Sequence, residues 1–200
     1  GLQLTARRET DAHHFANVLF NNMRGGIFAA NYDVPAPDFR DFLQTRNRAV
    51  VVRHEVFLAN LPATIRSADL IRAARDTGDA DLERLSHEYL PLYFGRRHGD
   101  PSRPWNRFAI HVHDKEGNRA LRYEGNWRDI FQNWEALSLS FPGFLPGIIA
   151  KFVNASTVDG FNPYRITRDG IDWEVIEPHH PWSHIGYWGD HQIVYLLRFL

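Results

Sequence analysis

The sequence predicts a mainly helical chain with a β-hairpin inserted at residues 107–123. Three observations carry that expectation. Apolar residues recur at intervals of three and four, as in Leu82, Leu85, Tyr89, Leu90 and Tyr93. Phe108 to His113 alternates instead with a period of two, turns through Asp114-Lys115-Glu116-Gly117-Asn118, and returns along Ala120 to Tyr123. Stretches rich in Gly, Pro and charge, such as GRRHGDPSRPWN at 95–106, separate the periodic segments as loops.

Taken in order, Phe15, Val18, Leu19 and Met23 predict a helix from Asp11 to Met23, stopped by Gly25-Gly26. Ile27 to Asp38 carries Asn31, Asp33, Pro35 and Pro37 and is expected to be irregular, with a short helical pattern restarting at Phe39. Arg48 to Leu61 is rich in β-branched residues, yet Val51, Glu55, Leu58 and Leu61 keep helical spacing, so one buried helix is expected there. Ser67 to Arg75 and Asp79 to Phe94 form a helix pair, with Thr77-Gly78-Asp79 ending the first and capping the second. Helices at Asn126–Phe141 and Phe144–Ala155 flank Pro142-Gly143. Residues 157–183 are irregular with a short strand pair, and a last helix starts after Asp190.

Two hundred residues, 44% apolar and 24% charged, suit one globular domain over 1–200 with a sizeable core and exclude a disordered chain. Lys and Arg number 23 against 24 Asp and Glu, so no global charge draws nucleic acid or an anionic membrane. No apolar run approaches the roughly eighteen residues of a membrane span, and no leader pattern is visible. The expectation is a cytoplasmic protein without nucleic-acid or membrane partners. The absence of cysteine excludes disulfides, thiol catalysis and cysteine-ligated metals.

All six tryptophans lie in the second half, and five of them are interleaved with nine carboxylates between Glu124 and Asp190. Aromatic faces stack on sugar rings while carboxylates, Asn and Arg bind hydroxyls, so this composition points to an oligosaccharide or glycoside. The competing reading is that the tryptophans pack a core and the carboxylates solvate a surface. Around Asp129 the pattern sharpens: Trp127, Ile130, Phe131, Trp134 and Leu137 form one helical stripe, with Asn126, Asp129 and Asn133 on another face. Gly125 permits a tight turn or the close approach of a ligand. The expected sugar contacts are Trp127, Arg128, Gln132, Trp173, Trp188, Asp190 and His191, with an N-cap as the competing role for Asp190.

Trp127-Arg128-Asp129-Ile130-Phe131-Gln132-Asn133 resembles the aromatic-Arg-Asp-x-x-Gln-Asp segment of cellobiose phosphorylase-type glycoside phosphorylases, and more distantly the amylo-1,6-glucosidases. A helix, a Gly-containing loop and Gly186-Tyr187-Trp188-Gly189-Asp190-His191 follow in the order of that family. The resemblance covers about residues 121–200. It implies part of an (α/α)6 toroid and places the general acid on Asp129. Asn133 replaces the family's second aspartate, and Asp159 to Val175 matches none of its signatures.

Inverting cleavage needs a protonated acid at the leaving oxygen and, across the ring, a carboxylate base or a bound phosphate. Asp129 is the expected acid. Desolvation by Trp127 and Trp134 would raise its pKa and an inward-turned Arg128 would lower it, a balance that the sequence leaves open. For hydrolysis the base is Asp172 or Glu174; for phosphorolysis inorganic phosphate is the co-substrate, and no other cofactor is expected. His111 and His113 share one face of a strand, a permissible metal spacing. But His179, His180, His184 and His191 with Glu177 and Asp190 sit in a Pro-flanked loop without helical i, i+4 pairing, so surface or substrate-contacting histidine is favoured and no metal is expected. Arg96, Arg97, His98 and Arg103 form a basic loop able to meet an anion. The alternative to an enzyme is a non-catalytic carbohydrate-binding or interaction fragment. Twelve helices of about 11–12 residues plus connections exceed this length, so the remainder of a larger catalytic domain, or a second chain, is expected as partner.

Overall fold

The computed structural model describes residues 7–13, 15–16, 27–93, 113–118, 120–173, 187–188 and 192–200. It is mainly helical with a few small sheets. Of the helix predicted at Asp11–Met23, residues 7–13 and 15–16 are helical (α1) and the rest lies outside the described residues.

Residues 28–91 build a helical unit whose two ends are tied together, because β1 (Ile27–Phe28) pairs antiparallel with β4 (Leu92–Tyr93). The stretch expected to be irregular instead supplies β1 and β2 (Asp33–Pro35), the latter pairing with β3 (Thr64–Arg66). Helix α2 (Ala36–Arg46) starts directly after Pro35, with Pro37 in its first turn, where a missing N–H costs nothing. Asn47 then accepts the Val50 N–H and caps α3 (Arg48–Arg53).

The single helix expected over Arg48–Leu61 is two, α3 and α4 (Glu55–Ala59), broken at His54. The β-branched run is a weak helix former, and the His54 ring is drawn to Asp79, with Nε2 2.8 Å from Oδ2. The break sends Val50, Val51 and Leu58 into the core and leaves Val52 and Val56 about three-quarters exposed, at 77% and 75%. Helices α5 (Ser67–Asp76) and α6 (Ala80–Glu88) follow the expected pairing, and Asp79 Oδ1 accepts the N–H groups of Asp81 and Leu82 at 2.9 and 3.1 Å. Helix α6 ends at Glu88 rather than Phe94. Pro91 disfavours helical backbone at Leu90, and Tyr89, already extended, donates its hydroxyl to Asp38 Oδ2 at 2.6 Å. This unit packs Val34, Phe39, Phe42, Leu43, Leu70, Leu82 and Leu85 into a core of its own.

The second core gathers residues from much farther apart. Helix α7 (Trp127–Ser140), a 3-10 turn (Pro142–Phe144), α8 (Leu145–Ala155) and α9 (Gln192–Phe199) pack together. The predicted stripe of Trp127, Ile130, Phe131, Trp134 and Leu137 is buried in this core. The Phe131 ring lies 4.7 Å from Trp127, 5.2 Å from Trp134 and 4.9 Å from Phe152, mostly edge to face.

The expected hairpin at 107–123 lies only partly within the described residues. Its turn forms, with Asp114 Oδ1 accepting the N–H groups of Glu116 and Asn118, and residues 107–112 lie outside the described residues. The returning arm 120–123 is not a strand. Pairing begins at β5 (Glu124–Asn126), which joins β7 (Arg165–Thr167), and β7 joins β8 (Ile171–Asp172). Just before β5, the Tyr123 carbonyl accepts the Arg168 N–H at 3.0 Å. A separate pair, β6 (Phe161–Asn162) with β9 (Tyr187–Trp188), completes the sheets among the described residues.

Candidate functional site

The β5–β7–β8 sheet runs straight into the start of α7. Asn126 is in register with Arg165, and Arg165 with Asp172. Tyr164 secures the corner: its carbonyl accepts the Trp127 N–H at 3.0 Å and its N–H donates to the Asp172 carbonyl at 2.9 Å. The sheet therefore holds the helix start that bears Asp129 on one side of β7 and the strand that bears Asp172 on the other. Opposite residues of an antiparallel pair share a face, and Arg165 Nε meets Asp172 Oδ2 at 2.7 Å while its Nη1 lies 3.8 Å from Glu124 Oε2. Glu124 was not among the expected site residues, and only this pairing brings it to Arg165.

The predicted residues fall into three groups. Asp172 lies across β7 from the start of α7 and is ion-paired, so service as a base requires Arg165 to share or release it. Trp173, next along the chain, is 45% exposed and offers an open aromatic face. Arg128, Asp129 and Gln132 are placed by their backbone in the first two turns of α7, and Trp188 by its backbone in β9 opposite Phe161. Glu174, Asp190 and His191, with the histidines and basic loop singled out above other than His113, lie outside the described residues. His113 itself is exposed.

Trp127 is a correction. Its indole is enclosed in the second core rather than open to a sugar, because burying so large an apolar surface outweighs leaving it in water. The same holds for Gly125. The space its missing side chain leaves is filled by Ile130 of α7, so the close approach is helix against strand and not ligand against backbone.

A second polar cluster, unforeseen in the sequence, lies between the helical unit and the sheet. Arg168, 5% exposed, donates from Nη1 to Asp41 Oδ2 at 3.1 Å and Asp169 Oδ1 at 2.7 Å, and from Nη2 to the Asp38 carbonyl at 3.0 Å and Oδ1 at 2.9 Å. Burial works against its charge, but Asp38 and Asp169 more than offset that and hold its pKa above the ordinary value. Beside it the buried Glu88 accepts from Arg84, Asn154 and Arg46. Lys151 is buried with its ammonium 5.8 Å from the Phe42 ring centre and 5.5 Å from that of Tyr123. Burial lowers its pKa to about 7, against the opposing pull of Glu88, and burial likewise raises that of Tyr123. These residues are scattered from Asp38 to Asp169, and no spacing signal unites them.

Among the described residues, no group of His, Asp and Glu is arranged to hold a metal ion, and no helix is long and apolar enough to cross a membrane.

The class these features define is a helical unit joined to an aromatic-cored helical segment that carries a small sheet. Residues 28–91 match the family model described as glycoside hydrolase family 149 insertion domain 1. The matched stretch coincides with the helical unit bounded by the β1–β4 pair, and it supports a glycoside hydrolase-related domain there. The match does not extend to the segment resembling the cellobiose phosphorylase and amylo-1,6-glucosidase types. No curated protein matches the chain.

Proposed function

We propose that this chain is part of a carbohydrate-active enzyme that cleaves a glycosidic bond with inversion, by hydrolysis or phosphorolysis, and that Asp129 is its general acid. The observation that carries the reading is the match of residues 28–91 to an insertion domain of a glycoside hydrolase family. It is supported by the sheet, in which one strand, β7, separates the Asp129-bearing helix start from the strand of Asp172, with Trp173 next along the chain. In this reading an oligosaccharide lies across the exposed Trp173 with its leaving oxygen at Asp129. Asp172 or Glu174 serves water as base, or inorganic phosphate attacks directly. The helices of the second core belong to an (α/α)6 toroid completed by the rest of a larger cytoplasmic protein, with residues 28–91 as its insertion.

The test uses the protein that carries this sequence, given a panel of oligosaccharides with and without inorganic phosphate and with products resolved by anomer. Asp129→Asn should lower cleavage by about 10²–10⁴-fold while oligosaccharide binding is retained. Release of a sugar 1-phosphate selects phosphorolysis. Unchanged cleavage in Asp129→Asn would remove the acid from this residue. Binding without cleavage in the unmutated protein would favour a carbohydrate-binding fragment.

A further inference from the structure

The β7–β8 hairpin has two ends with different attachments. At the open end, Arg165 stands opposite Asn126 at the start of α7 with Asp172 on its other side, and Tyr164 bonds to both Trp127 and Asp172. At the turn, Thr167 and Gly170 close on each other, with the Thr167 N–H donating to the Gly170 carbonyl at 2.8 Å and the Gly170 N–H to Thr167 Oγ1 at 2.9 Å. That turn carries Arg168 and Asp169. Every polar contact of the Arg168 guanidinium other than Asp169 reaches α2 of the helical unit, and Arg46 of α2 donates back to the Asp169 carbonyl at 3.3 Å. Ile166, between the two ends, is buried in the second core.

We propose that Arg168 is a positioning residue that couples the docking of the helical unit to the candidate site, by holding the β7–β8 hairpin against the start of α7. A buried arginine with a charge-assisted fork fixes orientation as well as distance, which a single ammonium contact does not. A rigid hairpin three residues long on one strand passes displacement at its turn to its open end. Loss of the contact to Asp38 therefore shifts Tyr164 and Arg165, and with them the backbone of α7 at Trp127. The mechanical coupling stands on these contacts alone; its catalytic consequence rests on the function proposed above.

The test is hydrogen exchange on the intact protein with two conservative variants, Asp38→Asn on the helical unit and Arg168→Lys on the hairpin. The reporters are the amides of Trp127, Tyr164 and Gly170, and the control is α3 with α4. In both variants the reporters should exchange at least about tenfold faster while the control is unchanged, and the double variant should add little to either single one. Unchanged reporters, or equal loosening of the control, would overturn the coupling. In cleavage assays the variants should lose kcat by about tenfold or more with KM unchanged, and Asp38→Glu should recover part of it. Loss of KM alone, with kcat intact, would overturn the positioning role. If Asp129→Asn leaves cleavage unchanged while the exchange pattern holds, the acid assignment fails and the coupling survives.

Discussion

The two cores are built by different means. The core at 34–89 is made of Leu, Val and Phe from short helices in sequence order, and its polar contacts are mostly caps and ion pairs between neighbouring elements, as at Asp79 with Arg53 and His54. The core around α7 is made of tryptophan and phenylalanine rings from elements as distant as Phe28 and Phe199. A locally assembled core needs little loop closure, whereas the second must bring far parts of the chain together before it gains any contact. The first therefore has the makings of a unit that can be inserted whole, and the second depends on what is docked against it.

Trp134→Ala should break this contrast open most widely. Removing the buried indole is expected to cost about 3–5 kcal/mol and to unfold the second core while the first survives. No tryptophan lies in the first core and Trp127 remains in the second, so a change in intrinsic fluorescence reports on the second, and hydrogen exchange of α5 and α6 follows the first. Loss of both in a single transition would show that the two are one cooperative unit.

Gly147→Ala acts at the seam. A methyl there would run into the His87 backbone carbonyl, which cannot turn aside as a side chain can. It should cost about 1–3 kcal/mol and separate one denaturation transition into two, without altering the circular dichroism of either helical part.

Lys151→Met should move stability the other way. Burial brings this amine from 10.5 in the unfolded chain to about 7 in the fold. Between those values the unfolded chain binds the proton more tightly, so the stability of the unmutated protein rises with pH across that window; below it the fold carries the full penalty of a buried charge. The substitution should therefore stabilise by about 1–3 kcal/mol at pH 6, and the gain should fade toward pH 10. Thermal melts across that range measure it.

Asp79→Ala should have the smallest effect and stay within the first core, costing about 1–2 kcal/mol as a lost N-cap. The His54 bond, together with Arg53 and the Leu82 and Asp81 amides, holds this carboxyl well below its ordinary pKa. Its contribution is then complete above about pH 4 and is lost as pH falls further, so urea midpoints of the two proteins should converge in acid.

Legibility in the sequence follows the same division. The α5–α6 pair and the stripe of α7 were readable because each rests on spacing within one turn or two. The break at His54 was not, since it depends on Asp79 brought in from elsewhere, whereas the end of α6 at Glu88 had a local signal in Pro91 and is fixed by Asp38 bonding Tyr89. Of the candidate site, the sequence marked Asp172 and Trp173 but could not show that Arg165 pairs with the former. It could not tell a tryptophan that stacks on a sugar from one that fills a core, and Trp127 went to the core.

The residue order alone determined a mainly helical chain, its caps and the apolar face of α7, because these depend on side chains three or four positions apart. The tertiary structure decided which strand β5 joins, which tryptophan stays exposed, and that Arg168 grips Asp41 and Asp38, 127 and 130 residues away. Such contacts arise only once the local elements have packed, and a guanidinium carries nothing in its sequence position that says which of many carboxylates will be near enough to bind it.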